Sequence, residues 1–75
     1  MTPDELKAIV EGALFAAGRA LSIEQLQALF DETARPDAGS LRAILNALQS
    51  DYSERGVLLQ QVASGWRFQV RTDVG

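Results

Sequence analysis

A chain of 75 residues, 47% apolar and 23% charged, holds material for one packed domain, which excludes a disordered segment. It contains neither cysteine nor histidine, so disulfides, thiol chemistry and thiolate metal sites are excluded, and the commonest metal ligand is missing. With a net charge of −3 and a pI near 4.7, it is repelled by duplex DNA unless its positive charge is gathered on one face.

A chain this short buries only ~60% of its unfolded surface. Its stability margin is roughly 3–5 kcal/mol, so each large apolar residue matters. No run reaches the ~18 apolar residues of a membrane span. Met1-Thr2-Pro3-Asp4-Glu5 is acidic, opposite to the start of a signal peptide. The chain therefore reads as cytoplasmic.

The first helix opens with a clear local signal. Thr2 can cap, Pro3 suits the first helical position, and Glu5 completes a capping box. Leu6, Ile9, Val10, Ala13, Leu14 and Ala17 follow at helical spacing, and Gly18 is a suitable stop. Arg19-Ala20-Leu21 reads as a short extended link able to pair with a later hairpin. Ser22 and Gln25 form a second capping box, and Ile23, Leu26 and Phe30 share a face with Leu29 at its edge. This second helix is expected to end near Glu32 or Thr33.

Ala34 to Gly39 is a turn, because Pro36 disfavours helix at Arg35. Asp37 or Ser40 then caps a third helix, Ser40 to Arg55, which places Leu41, Ile44, Leu45, Leu48 and Tyr52 on one side. Two strands follow, Val57 to Ala63 and Trp66 to Thr72, joined by a two-residue turn Ser64-Gly65 that would set Ala63 opposite Trp66 and Leu59 opposite Val70. One hairpin face is then Leu59, Gln61, Ala63, Trp66, Phe68 and Val70, turned to the helices. The other is Leu58, Gln60, Val62, Arg67, Gln69 and Arg71. The expected core is Leu6, Ile9, Val10, Ala13, Leu14, Ile23, Leu26, Phe30, Leu41, Ile44, Leu45, Leu48, Tyr52, Leu59, Phe68 and Val70. Three helices, a short edge strand and a C-terminal hairpin are the α+β plan of a winged helix, a fold often used to read DNA.

Little in the chain can carry catalysis. Asp4 and Glu5 sit in a helix's first turn, where negative charge suits the dipole, and Asp31-Glu32 reads as a solvated helix end. Ser22 and Ser40 are caps with no base at hand, and no glycine-rich phosphate loop occurs. No catalytic, cofactor or metal site is expected.

Duplex recognition needs Arg, Lys, Asn or Gln at base edges and several neutralised phosphates. The third helix offers Arg42, Asn46 and Gln49 but also Asp51 and Glu54, and its outer face is Ala43, Asn46, Ala47, Ser50 and Glu54. Arg67 and Arg71 share one wing face. A winged-helix transcription regulator binding through Arg42, Arg67 and Arg71 is the rival reading. Protein contact suits the sequence better. Ala43, Ala47 and Ser50 would let a partner approach the third helix closely. On the first helix Ala8, Gly12, Phe15 and Ala16 lie off the core stripe, where Phe15 is a candidate anchor unless the hairpin or the second helix folds over it. Leu58 and Val62 are apolar on the polar wing face. Trp66, next to the turn, reads as core cover over the end of the third helix.

These residues resemble a known family. Ile9 to Ser22, IVEGALFAAGRALS, is similar to the opening of segregation and condensation protein B, ScpB. Leu41 to Gly56, LRAILNALQSDYSERG, followed by LLQQVASGWRFQVRT, is similar to that family's third helix and wing. The likeness runs from Leu6 to Thr72, while the loop Ala34 to Gly39 has no counterpart in the pattern. It implies a homodimer that binds the kleisin ScpA and, through it, the SMC ATPase, in a bacterial chromosome condensation and segregation complex. It carries no catalytic residues. Residues 1–75 are then expected to be one winged-helix domain, the N-terminal part of a longer two-domain chain, working in the cytoplasm at the nucleoid without direct DNA binding. Phe15→Asp is expected to weaken self-association with the fold intact. A blander alternative is a structural domain whose partner surface lies elsewhere in a longer chain.

Overall fold

The structure, a computed structural model, describes residues 1–71. Its elements are α1 (Pro3–Ala17), α2 (Ile23–Gln27), α3 (Ala38–Asp51), β1 (Val57–Val62) and β2 (Gly65–Val70). The hairpin is antiparallel and packs against the helices, giving the α+β winged helix expected from the sequence. Thr72, expected to close the second strand, lies outside the described residues.

Both predicted capping boxes form. Thr2 Oγ1 accepts the Glu5 N–H at 3.1 Å, Ser22 Oγ accepts that of Gln25 at 3.1 Å, and the Glu5 and Gln25 side chains accept the cap N–H groups in return. Gly18 ends α1 at φ 63°, the left-handed value glycine tolerates. Val10 and Leu14 are the buried residues of α1. Ile9, expected in the core, is 43% exposed. At 100° per residue it falls past Leu6 and Ala13, beyond the edge of the face that Val10 and Leu14 bury.

Helix α2 is shorter than expected. After Gln27 the bonds tighten to three-residue steps, Leu29 N–H to Leu26 and Phe30 N–H to Gln27. The Arg35 guanidinium then donates to the carbonyls of Gln27 and Phe30, and the Gln27 amide donates to the Pro36 carbonyl. These side chains satisfy the helix end and fold the loop back on it.

Helix α3 begins two residues earlier than expected because Asp37, not Ser40, is its cap: Oδ1 accepts the Ser40 N–H at 2.7 Å. The backbone and side-chain hydrogen bonds of Ser40 hold the Asp37 carboxyl below its ordinary range. The helix stops at Asp51, short of Arg55. Past Tyr52, Ser53 N–H reaches only to Ser50, and Arg71 donates from the wing to the carbonyls of Tyr52, Ser53 and Arg55.

The hairpin register also differs from the expectation. Val62 pairs with Gly65, Leu59 with Phe68 and Val57 with Val70, so the loop is Ala63-Ser64. Neither loop residue has a positive φ, whereas Gly65, the first residue of β2, takes φ 141°. The slip is two residues, an even number, so the same side chains still face the helices. Gly65 is also where the link between α1 and α2 crosses the sheet. Leu21 and Trp66 exchange both backbone hydrogen bonds, each 2.8 Å, as the predicted edge pairing. A Cβ on Gly65 would stand 2.2 Å from the Leu21 carbonyl oxygen.

The core gathers Val10, Leu14, Leu21, Leu26, Leu41, Ile44, Leu45, Leu48, Leu59 and Trp66, with Leu6, Ala17, Ile23, Tyr52 and Phe68 against it; Phe30 is buried as well. Leu21, expected as part of an extended link able to pair with the hairpin, belongs to the core as well. Val70, expected inside, is 73% exposed. It pairs with Val57 in the last hairpin pair, at the open end of the hairpin beyond Phe68. On the outer edge of the core, Lys7 pairs with Asp51 and the Tyr52 hydroxyl donates to the Glu11 carboxylate, tying α1 to α3. The Glu11 hydrogen bond, and then burial, raise the Tyr52 pKa; the Asp51 hydrogen bond raises that of Lys7.

Two outcomes follow from these contacts. Gly65→Ala must meet both the strained φ and the Leu21 carbonyl, and should lower unfolding stability by at least about 2 kcal/mol, read from its urea midpoint. Tyr52 holds its proton more tightly folded than unfolded. Its contribution is whole below its ordinary value of 10.0 and is lost as pH rises through the raised folded value. Lys7 behaves alike from 10.5. Stability should fall from about pH 10 upward, and Tyr52→Phe should flatten the first part of that decline.

Candidate protein-binding surface

The residues singled out for partner contact are distributed over three elements. On α1, Ala8, Gly12 and Phe15 are exposed. On α3, Ala43 and Ser50 are exposed and Ala47 is half-buried. On β1, Leu58 and Val62 are half-buried on the face that carries Gln60 and Arg67.

Phe15 is the most informative of them. It is 48% exposed, and its ring lies parallel to that of Phe68, 4.1 Å between centroids and 8° between planes. Tyr52 closes the group, tilted at 4.8 Å from Phe68 and 6.2 Å from Phe15. The hairpin thus supports one side of Phe15 and leaves the other to solvent. Phe15→Asp consequently removes a stacked pair worth about 1 kcal/mol along with any partner contact, so the substitution is not silent in the fold. The sequence hid this trio because Phe68 and Tyr52 read as core while Phe15 read as off the stripe. The three meet where α1, α3 and the wing converge.

A concavity of about 630 Å³ opens between the start of α1, the loop after α2 and the start of α3; Leu6, Thr33, Pro36, Ala43 and Ile44 line it. It brings Ala43 beside the loop Ala34 to Gly39, which the sequence marked only as a turn.

The cations are mostly engaged within the fold. Lys7 is paired with Asp51, Arg35 with the carbonyls of Gln27 and Phe30, and Arg71 with the end of α3. The Arg55 guanidinium lies 5.1 Å from the Tyr52 ring centre and donates to the Asp51 carbonyl. Arg67 donates to the neutral Gln69 side chain at 3.1 Å. Of the seven cationic side chains, Arg19 and Arg42 alone have no hydrogen-bond or ion-pair partner among the described residues. The three arginines of the DNA-binding alternative, Arg42, Arg67 and Arg71, therefore do not form a free basic stripe. Among the described residues, no group of three or more acidic side chains converges as a metal site, and no helix is long and apolar enough to cross a membrane.

The surfaces described above belong to a fold with known relatives. The chain is 49% identical over 67 residues to a segregation and condensation protein B homolog of Coxiella burnetii, a match covering 89% of this chain and 32% of that protein. It is 47% identical over 60 residues to segregation and condensation protein B of Geobacillus thermodenitrificans, covering 76% of this chain and 27% of the relative. The chain thus spans about a third or less of the length of these curated relatives. Among solved structures it superposes on a dimer of the ScpB N-terminal domain complexed with a ScpA peptide, with a TM-score of 0.73 and 32% identity over 88% of this chain and 75% of that one. The model of the family described as segregation and condensation complex subunit ScpB matches residues 8–75. By that match, and by its helices, edge bridge and wing, the chain belongs to the ScpB family.

Proposed function

We propose that this chain is a non-enzymatic, protein-binding module of a bacterial SMC–kleisin complex that condenses and segregates chromosomes. It pairs with a second copy and helps hold a segment of the kleisin ScpA, which links it to the SMC ATPase at the nucleoid. As the family likeness suggests, it serves as the first winged-helix domain of a two-domain subunit. The observation that carries the reading is its likeness to an N-terminal domain dimer complexed with a ScpA peptide. A further support is electrostatic: five of seven cations are engaged internally and the net charge is −3, so the surface favours a polypeptide over a polyanion.

The mechanism is scaffolding. A rigid body presents fixed apolar patches, and binding then orders little of the module itself. Phe15 fits this role, since Phe68 holds its ring in place before any partner arrives.

Light scattering of the chain, alone and with a ScpA peptide, tests the reading. The expected result is a mass approaching twice the 8.1 kDa monomer as concentration rises, and a further increase with the peptide. A gel shift at low salt should show no retained duplex. Retention lost in Arg42→Glu or Arg67→Glu would instead support the transcription-regulator alternative.

A further inference from the structure

Three parts of the fold meet at Tyr52. Its hydroxyl donates to Glu11 on α1, and its ring is tilted against Phe68 of β2 and Phe15 of α1. Its carbonyl accepts from the Arg71 guanidinium at 3.3 Å, and that guanidinium also reaches the carbonyls of Ser53 and Arg55. Tyr52 has left helical geometry, at φ −100° and ψ 7°. The direction of its ring is therefore set by these contacts and not by continuation of α3.

Arg71 acts on Phe68 as well. Its own N–H donates to the Gly56 carbonyl at 2.9 Å, one step past the last strand pair of Val57 and Val70. Phe68 stands three residues before Arg71 on the strand held in this way. Both aromatic neighbours of Phe15 thus lead back to one guanidinium-bearing residue: Tyr52 through a carbonyl, Phe68 through the strand. Phe15 lies with one face on Phe68 and is 48% exposed, so its outward presentation depends on where those two rings stand. Arg71 is also where the described fold meets the rest of the chain, since residues 72–75 follow it in sequence.

We propose that Arg71 is a strap that couples the place where the chain leaves the fold to the exposed ring of Phe15. With the strap closed, Tyr52 and Phe68 hold Phe15 in one position. When movement of the following chain draws Arg71 away, the two rings shift and Phe15 loses its support. The two states differ in whether one guanidinium meets backbone carbonyls or water, a small net difference that influences from either end can tip. The strap is the two-state element that such coupling requires. Coupling of this kind is reciprocal, so a molecule packed on the open face of Phe15 tightens Arg71 by the same factor. The inference holds whatever that molecule is.

A double-mutant cycle in urea tests the coupling, because independent sites contribute additively. In the native background Phe15→Leu should raise the unfolding equilibrium constant about fivefold, the loss of one stacked aromatic pair. In the Arg71→Gln background the same substitution should raise it less than about twofold. Arg42→Gln, at an arginine with no hydrogen-bond or ion-pair partner among the described residues, should leave the fivefold effect intact. Proton NMR gives a second reading. The Phe15 ring resonances should move in Arg71→Gln away from the values that stacking on Phe68 imposes, and should not move in Arg42→Gln. Arg71→Lys, which keeps the charge but lacks the planar fork, should shift them in the same direction by less. It also serves for the cycle should Arg71→Gln be too unstable to measure. If Phe15→Leu costs the same factor with and without the Arg71 substitution, or if the ring resonances stay in place, the strap acts on the end of α3 alone and the proposal falls.

Discussion

Two backbone hydrogen bonds hold the wing to the helices, and the rest of the arrangement depends on them. Leu21 and Trp66 each donate to the other at 2.8 Å, which crosses the link between α1 and α2 over the first residues of β2. The crossing is tight enough that only a residue without Cβ fits at Gly65. It also places Leu21 and Trp66 together in the core, at 7% exposure each, so the polar contact and the apolar burial reinforce one another. With the hairpin anchored there, Leu59 reaches the core, Phe68 meets Phe15, and the Gln49 amide donates to the Leu59 carbonyl. A core of Leu, Val and Trp alone would set the hairpin's distance from the helices less exactingly than this pair of directional bonds does.

Much of this was legible in the sequence, for reasons tied to local chemistry. Thr2 with Glu5 and Ser22 with Gln25 marked two helix starts because a capping box is complete within four residues. The heptad-like run Leu41, Ile44, Leu45, Leu48 marked α3 because period alone exposes it. Family likeness pointed the same way. What was not legible depended on residues distant in sequence. The premature end of α2 requires Arg35 to reach its carbonyls, and that of α3 requires Arg71 from the wing. Gly65 looked like half of a two-residue turn, a normal role for glycine. Its actual duty, to let Leu21 pass, is invisible until the link is folded. Ile9 and Val70 are apolar residues at the margins of their elements, where periodicity assigns a face but not how far its cover extends.

The candidate surface shows the same division. Ala8, Gly12 and Phe15 could be read off the helical wheel as lying outside the core stripe. That Phe15 rests on Phe68, and that Tyr52 joins them while donating to Glu11, could not. The electrostatic argument, by contrast, gained strength. The sequence counted seven cations; the fold assigns most of them to carbonyls, carboxylates or a ring. A guanidinium bonded to backbone carbonyls at a helix end is poorly placed to neutralise a phosphate, since it would first have to give up those bonds. A winged-helix outline is thus a weak guide to what a chain binds.

Arg71 has one more consequence. By bonding the carbonyls of Tyr52, Ser53 and Arg55 from just past β2, it makes the turn that follows α3 depend on a residue sixteen or more positions later. Fraying of α3 and release of the wing's last residue become a single local opening, and slow amide exchange in one should be mirrored in the other. Trimming the chain just after the last hairpin pair at Val70 would therefore loosen the end of a helix distant from the cut in sequence.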